Sequence, residues 1–350
     1  MAEDTLTLDP HGTAPPEAGT PETGTPDTET QTDDSTPEDE PKVVAFANPT
    51  AGKGAVRRRL VPLRERLVQL WPGMEFYITD GPGHAARVLA DLPLPTGSLV
   101  IAIGGDGTVH EIGAALVRRE GVAMAVVPFG SGNDVAAQLG MPADPFASLD
   151  CIKNGMPLPW DVGQLGPYVF LNSVGFALSA ETCYWSHRTG PLTGIARYGI
   201  ATLRAWWTHE PLTLGVDGMQ RSGTWITTLI EVAIGDRSGG GFRLTARAKV
   251  DDGLLDVCMV EALPRWQIPW LAPKARRGGH LDHPSVTYEQ LTNFRIQLSH
   301  DTRLHVDGEV HELPKGEHSV RIRARALQLV VAPDHPRAIV ARTPELGGDA

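Results

Sequence analysis

The sequence predicts an α/β lobe followed by an antiparallel β-sandwich, and three observations carry that prediction. Residues 42 to 158 alternate short apolar runs with helical patterns, which implies a parallel sheet with right-handed crossovers. Three polar, glycine-bearing loops in that half each follow a strand, the edge at which open α/β sheets bind ligands. After about Trp160 the texture changes to short strands joined by turns. Two of these turns carry Asp-Gly hairpin signals, Val216-Asp217-Gly218-Met219 and Val306-Asp307-Gly308-Glu309.

The elements follow in order. Residues 1–41 are rich in Pro, Thr, Glu, Asp and Gly, and are expected to form a disordered acidic tail because they have too little apolar surface to offset ordering entropy. Val43–Phe46 reads as a strand, Asn48–Gly54 as a loop and Ala55–Trp71 as a helix with Leu60, Leu63, Leu67 and Leu70 on one face. Glu75–Ile78 is a second strand, Thr79–His84 a loop and Ala85–Asp91 a short helix. Ser98–Ile103 is a strand apolar enough to be buried on both faces. Gly104–Thr108 turns into a helix that Thr108 is placed to cap. Ala123–Pro128 is a further strand, and a helix runs to Leu139 after the Gly130–Asp134 loop. In the second half, strands are expected at Tyr168–Phe176, Leu212–Asp217, Trp225–Ile234, Leu254–Val260, Phe294–Leu298, Leu304–Val306 and Ser319–Arg325, with one helical insert at Gly194–His209. A last strand, Leu327–Ala332, is expected to return to the first lobe.

The net charge of −11 misleads about the folded part. Twelve of the 42 acids fall in the first 41 residues, which contain no Lys or Arg, leaving 30 acids against 31 bases. The three cysteines, Cys151, Cys183 and Cys258, have no metal-ligand spacing and suit a reducing compartment. No secretory pattern opens the sequence and no apolar run approaches the ~20 residues that span a bilayer. A cytoplasmic location follows as the expectation, with attachment to the inner face of a membrane left open. Basic residues are not interleaved with aromatics over a broad face, so no nucleic-acid partner is expected.

The three loops carry the chemistry. Asn48-Pro49-Thr50-Ala51-Gly52-Lys53-Gly54 fails as a Walker loop, since position 47 is Ala and Gly54 follows Lys53. It still offers backbone N–H groups, a hydroxyl and an ammonium ahead of a helix. Gly104-Gly105-Asp106-Gly107-Thr108 adds an acid that a purely structural turn does not need. Gly130-Ser131-Gly132-Asn133-Asp134 adds a hydroxyl, Ser131, while Asn133 and Asp134 can equally be helix caps.

Together and in this order these loops resemble the diacylglycerol kinase catalytic family, which also embraces sphingosine, ceramide and bacterial lipid kinases. The resemblance covers about Lys42 to Pro333. It implies an ATP-binding α/β domain at 42–158, with a parallel sheet like that of NAD kinase and phosphofructokinase, completed by 326–334. It further implies a β-sandwich lipid and metal domain at 159–325. ATP would contact Asn48, Pro49, Thr50, Ala51, Gly52, Thr79, Gly104, Gly105, Asp106, Gly107, Thr108, Val109, His110 and Ser131.

Two later segments match as well. Asp251-Asp252-Gly253-Leu254-Leu255-Asp256-Val257 is similar to the family's magnesium segment, which implies Mg²⁺ ligands at the Asp252 side chain and the Leu255 and Val257 carbonyls. Oxygen donors without thiol or imidazole suit a hard cation, although an Asx turn is the plain alternative. His305-Val306-Asp307-Gly308-Glu309 is similar to the family's late Asp-Gly-Glu, where the Glu accepts the proton of the lipid hydroxyl. That implies a catalytic role for Glu309.

The resulting expectation is transfer of the γ-phosphoryl group of ATP to a lipid hydroxyl at a membrane surface, with diacylglycerol the leading acceptor. Alternatives are an NAD kinase-like enzyme or a non-catalytic lipid- or nucleotide-binding regulator of the same fold. A homodimer is left open. The segment Trp266–Arg277 pairs aromatic rings with Lys274, Arg276 and Arg277, which suits either a membrane interface or an ordinary solvated surface.

Overall fold

The computed structural model describes residues 40–189 and 194–342. The expected acidic tail therefore lies, except for residues 40 and 41, outside the described residues. The first lobe contains β1 (Val43–Ala47), α1 (Ala51–Leu70), β2 (Glu75–Ile78), α2 (His84–Asp91), β3 (Leu99–Gly104), α3 (Asp106–Leu116), β4 (Ala123–Pro128), α4 (Asp134–Gln138) and α5 (Pro145–Asn154). Its strands run parallel in the order β4-β3-β1-β2, with Ala45 opposite both Phe76 and Ile101. Helices cover both faces, so Val44–Ala47, Val100–Ile103 and Met124–Val127 are buried throughout. This is why they read as unbroken apolar runs rather than alternating ones.

The second half contains β5 (Met156–Leu165), β6 (Tyr168–Phe170), β7 (Ser173–Ala177), α6 (Leu178–Ser186), α7 (Gly194–Thr208), β8 (Leu212–Asp217) and β9 (Gly223–Ala233). It continues with β10 (Leu255–Glu261), a 3₁₀ turn at Arg265–Gln267, α8 (Ile268–Ala275), β11 (Val286–Leu291) and β12 (Asn293–Leu298). Last come β13 (Thr302–Val306), β14 (Glu309–Leu313), β15 (Gly316–Val331) and α9 (Pro336–Arg342). The strands pair antiparallel in the order β14-β13-β7-β9-β8-β12-β15, with β10 joining β9 to β11. Both Asp-Gly signals mark hairpins: β8 pairs with β9, and Asp307-Gly308 joins β13 to β14 with positive φ at both residues (47° and 86°), as a two-residue primed turn requires.

β15 ties the halves together. Its first part pairs with β12 and β5; Arg325 then takes φ 53°, its N–H donating to Asp161 Oδ1 (2.6 Å), after which the strand pairs again with β5 while Gln328 and Leu329 pair parallel with β4. One strand thus carries both the antiparallel and the parallel part of a single continuous sheet.

The elements depart from expectation in several places: α5, α6, α8, α9, β11 and β14 lie where no element is expected, and β15 joins two expected strands. The Tyr168–Phe176 strand is broken at Leu171 and Asn172, whose N–H groups turn to a side chain. The first turn of α1 is left-handed at Gly52, Lys53 and Gly54, so regular helix begins near Ala55. A Cβ on Gly52 would stand 2.8 Å from the Phe129 carbonyl oxygen, so only glycine fits. Thr108 lies inside α3 rather than capping it, because Gly105 occupies the cap. Pro157 and Pro159 mask β5 in the sequence, although it pairs antiparallel with β15.

Candidate active site

The four parallel strands end at one edge, and their loops converge there. Asn48 N–H donates to the Ile103 carbonyl (3.0 Å) and its Nδ2 donates to Thr108 Oγ1 (3.0 Å), locking the first loop to the turn after β3. Asn48 Oδ1 accepts from the Thr50 N–H and hydroxyl, shaping the segment through Pro49, Ala51 and Gly52. Thr79 follows β2, buried, with its N–H on the Ala47 carbonyl. Gly104 and Gly105 leave no room for side chains, since added Cβ atoms would meet Thr108 Oγ1 at 2.5 Å and the Gly130 Cα at 3.0 Å.

Asp106 is the acid of this edge. Its two oxygens accept from the Asn133 and Asp134 N–H groups (2.9 and 3.1 Å), so it holds the loop after β4 against the start of α3. Burial and then the charge of Asp134 push its pKa up to about 7, against the pull of those two amides. Neither Asn133 nor Asp134 makes a side-chain cap. Asn133 bonds the Gly130 N–H and carbonyl, and Asp134 Oδ2 accepts from the Gly240 N–H (3.1 Å). Ser131 receives a hydrogen bond from Arg197 Nη1 (3.2 Å), a residue of α7. Tyr198, the next residue, packs on Gly239 and Gly240, and its hydroxyl would be 3.5 Å from a Cβ on Gly132.

The second half closes on this edge through the β13–β14 hairpin. The Asp307 carboxylate is anchored by the Leu171, Asn172 and Ser173 N–H groups (2.8, 2.9 and 2.9 Å) and pairs with His110 Nδ1 at 2.8 Å. Burial opposes its charge, but His110 and the amides hold its pKa below the usual carboxylate range. Burial likewise opposes the imidazolium, yet the Asp307 bond and charge, with Glu309 and Glu111, raise the His110 pKa. Two residues on, exposed Glu309 reaches the start of α3, where a Cβ added to Gly107 would come within 2.9 Å of Glu309 Oε1. The structure therefore brings Glu309 to the loops that were expected to hold phosphate.

A cavity of ≈ 1210 Å³, including its mouth, begins at these groups. Asp106, His110, Asp134 and Asp307 line its polar end, with Val109 beside them. Leu178, Leu229, Val260, Leu263, Ile268 and Ala275 line the other. Between the two lies a buried cluster. Glu231 accepts from the Ser179 and Ser238 hydroxyls (2.6 and 2.7 Å) and stands 3.2 Å from His305 Nε2. Burial opposes both charges, but their mutual attraction lowers the Glu231 pKa and raises that of His305.

The predicted metal residues stand elsewhere. Asp252 is exposed and its Oδ1 accepts from the Leu254 N–H (3.1 Å), an Asx turn. Leu255 and Val257 lie in β10. Asp252 groups with Asp161, Asp251 and Asp256, and burial followed by opposing hydrogen bonds and this added charge leaves the Asp161 and Asp256 pKa values raised, that of Asp256 to about 6. The charged neighbours of Asp106 are Asp134 and Asp307 instead. Among the described residues no group of three His, Cys, Asp or Glu side chains could hold a metal. The all-oxygen donors around Asp252 fit a hard cation in kind, with water completing the shell.

The sequence reads Asp134 as a helix cap and Asp307 as a hairpin residue, and it does not point to Arg197, Tyr198 or Glu231. Two signals were available: the Asp-Gly turn for Asp307, and for Glu231 a lone charge inside the apolar run Trp225–Ile234. Arg197 and Tyr198 gave none, because a helix in another lobe delivers them.

Two family models match this chain. The diacylglycerol kinase catalytic domain matches residues 42–165, and the YegS C-terminal NAD kinase beta sandwich-like domain matches residues 172–331. A diacylglycerol kinase of Bacillus subtilis (strain 168) is 25% identical over 276 residues, covering 77% of this chain and 90% of that one. One of Staphylococcus aureus (strain JH9) is 27% identical over 266 residues, covering 75% and 84%. The crystal structure of a diacylglycerol kinase from Bacillus anthracis str. Sterne superposes with a TM-score of 0.64 at 20% identity, over 83% of this chain and 97% of that one.

Proposed function

The chain belongs to the diacylglycerol kinase catalytic family, a family of lipid kinases, and on that premise we propose that it transfers the γ-phosphoryl group of ATP to the free hydroxyl of diacylglycerol. One observation carries the reading of the acceptor: the cavity that is polar where Asp106, His110 and Asp307 meet and apolar at Leu263, Ile268 and Ala275. A hydroxyl at the first end with acyl chains in the second fits that polarity; a dinucleotide would leave the apolar end unfilled.

In this reading the triphosphate lies along Asn48–Gly52, Gly104–His110 and Ser131, where glycine backbone can approach it closely. The Arg197 guanidinium, already on Ser131, adds a positive charge beside it. Glu309 accepts the proton of the attacking hydroxyl, as an alcohol must lose it while bonding to phosphorus. The Asp307 clamp holds the hairpin that carries Glu309. Mg²⁺ carried with ATP would neutralise charge on the phosphates; Asp252, with the Leu255 and Val257 carbonyls, would hold a separate ion, apart from Asp106, with a structural role.

Incubation with labelled ATP, Mg²⁺ and a panel of diacylglycerol, sphingosine, ceramide and NAD tests this. Labelled phosphatidic acid is the expected product. Labelled NADP, or no product with any acceptor, would overturn the proposal.

A further inference from the structure

Helix α8 is apolar on two faces, and only one of them has a protein partner. Ile268, Leu271, Ala272 and Ala275 recur at helical spacing and line the cavity. On the opposite side Trp266 and Trp270 are 66% and 75% exposed. Helix α7 repeats the arrangement: Ala201 and Ala205 face inward, while Ile200, Leu203 and Trp207 form an outer stripe. The two elements are joined, because Trp206 Nε1 donates to the Arg265 carbonyl (2.7 Å) and Arg265 Nη1 donates to the Trp207 carbonyl (3.1 Å). The three most exposed tryptophans of the described residues thus share one surface. Such a concentration marks an interaction surface rather than chance exposure.

Two further observations choose its occupant. Neither Gly194–His209 nor Ala262–Leu281 contains an Asp or Glu, whereas Arg204, Arg265, Lys274, Arg276 and Arg277 are exposed there. The surface also adjoins the cavity, since Leu263 and Leu271 line both the cavity and the shallow cleft beneath Trp266 and Trp270. Indole rings settle at the headgroup level of a bilayer, and basic side chains are attracted to anionic lipid. A soluble protein partner would explain the apolar ridge but not its position against an acyl-sized cavity, with Leu263 and Leu271 as the shared wall.

We propose that the α7–α8 ridge is a docking surface for an anionic bilayer, and that the lipid substrate passes from the membrane into the cavity between Leu263 and Leu271. This rests on the lipid-kinase reading for what passes, but not for what binds. The test is co-sedimentation of the full chain with vesicles of pure phosphatidylcholine and of equal parts phosphatidylcholine and phosphatidylglycerol. Stronger binding to the anionic vesicles is expected, with blue-shifted tryptophan emission. The double variant Trp266→Ser/Trp270→Ser should bind them at least about tenfold more weakly, and Arg276→Gln/Arg277→Gln about tenfold more weakly on anionic vesicles alone. Both should keep wild-type turnover on a short-chain diacylglycerol dissolved as monomers, which separates docking from catalysis. Unchanged vesicle binding in both variants would overturn the proposal. So would a dimer in light scattering that the tryptophan substitutions dissociate, because the ridge would then be covered by a second copy.

Discussion

Asp307 and His110 join the two halves of the molecule at 2.8 Å: a carboxylate held by three main-chain amides of the β-sandwich pairs with an imidazole on the helix that begins at the glycine turn. Asp307→Asn leaves a donor facing amide donors, and should cost about 2 kcal/mol or more in urea unfolding. The pH dependence follows from the directions of the two shifts. The contribution of His110, whose pKa is raised, is complete below about pH 6.5 and is lost as pH rises through the raised value. That of Asp307, whose pKa is lowered, is complete above about pH 3.9 and is lost as pH falls through the lowered value. The stability difference between wild type and Asp307→Asn should therefore peak between these limits; a difference flat with pH would remove the ion pair from the account.

Asp106 works in the opposite sense to Asp307. Its pKa is pushed up to about 7 by burial and by Asp134, so its ionised form is disfavoured in the folded state. The folded chain holds this proton where the unfolded chain has lost it, and stability falls as pH rises from about 4 to about 7. Relative to Asp106→Asn, wild type should lose melting temperature across that range, whatever constant cost the lost amide bond adds. Parallel pH profiles for the two proteins would contradict the assignment.

Gly107→Ala tests the approach of Glu309 to α3. The new methyl would stand 2.9 Å from Glu309 Oε1, the movable end of a flexible side chain. The fold should tolerate it, with melting nearly unchanged, while kcat falls about tenfold or more because the carboxylate is displaced. Wild-type kcat would show that Glu309 acts from another position.

Filling the apolar end of the cavity should change selectivity rather than chemistry. Ala275, buried at that end, replaced by Phe should raise KM for long-chain diacylglycerols about tenfold while leaving short chains near wild type. Equal effects on all chain lengths would place the acyl groups elsewhere.

The sequence was most legible where local chemistry decides the structure. The runs Val43–Phe46 and Ala123–Pro128 became strands because burial on both faces demands continuous apolar residues. Asp307-Gly308 became a hairpin because its glycine and aspartate accept positive φ. The loops after β1, β3 and β4 meet because parallel strands deliver their ends to one edge. What could not be read depends on distant partners. Tyr168–Phe176 has the pattern of one strand, and only Asp307, more than a hundred residues later, breaks it by taking the Leu171 and Asn172 amides. Arg197 reaches Ser131 from a helix whose placement no local signal sets. α8 hides its role because its inner and outer faces are both apolar, so periodicity cannot say which one is buried.

The central claim is that Glu309 takes the proton of a lipid hydroxyl held against the glycine turn. Single-turnover phosphorylation of diacylglycerol by Glu309→Gln, with ATP binding measured in parallel, tests it most directly. The account predicts ATP affinity within about twofold of wild type and phosphoryl transfer slower by a factor of about 100 or more. Transfer at the wild-type rate would contradict it.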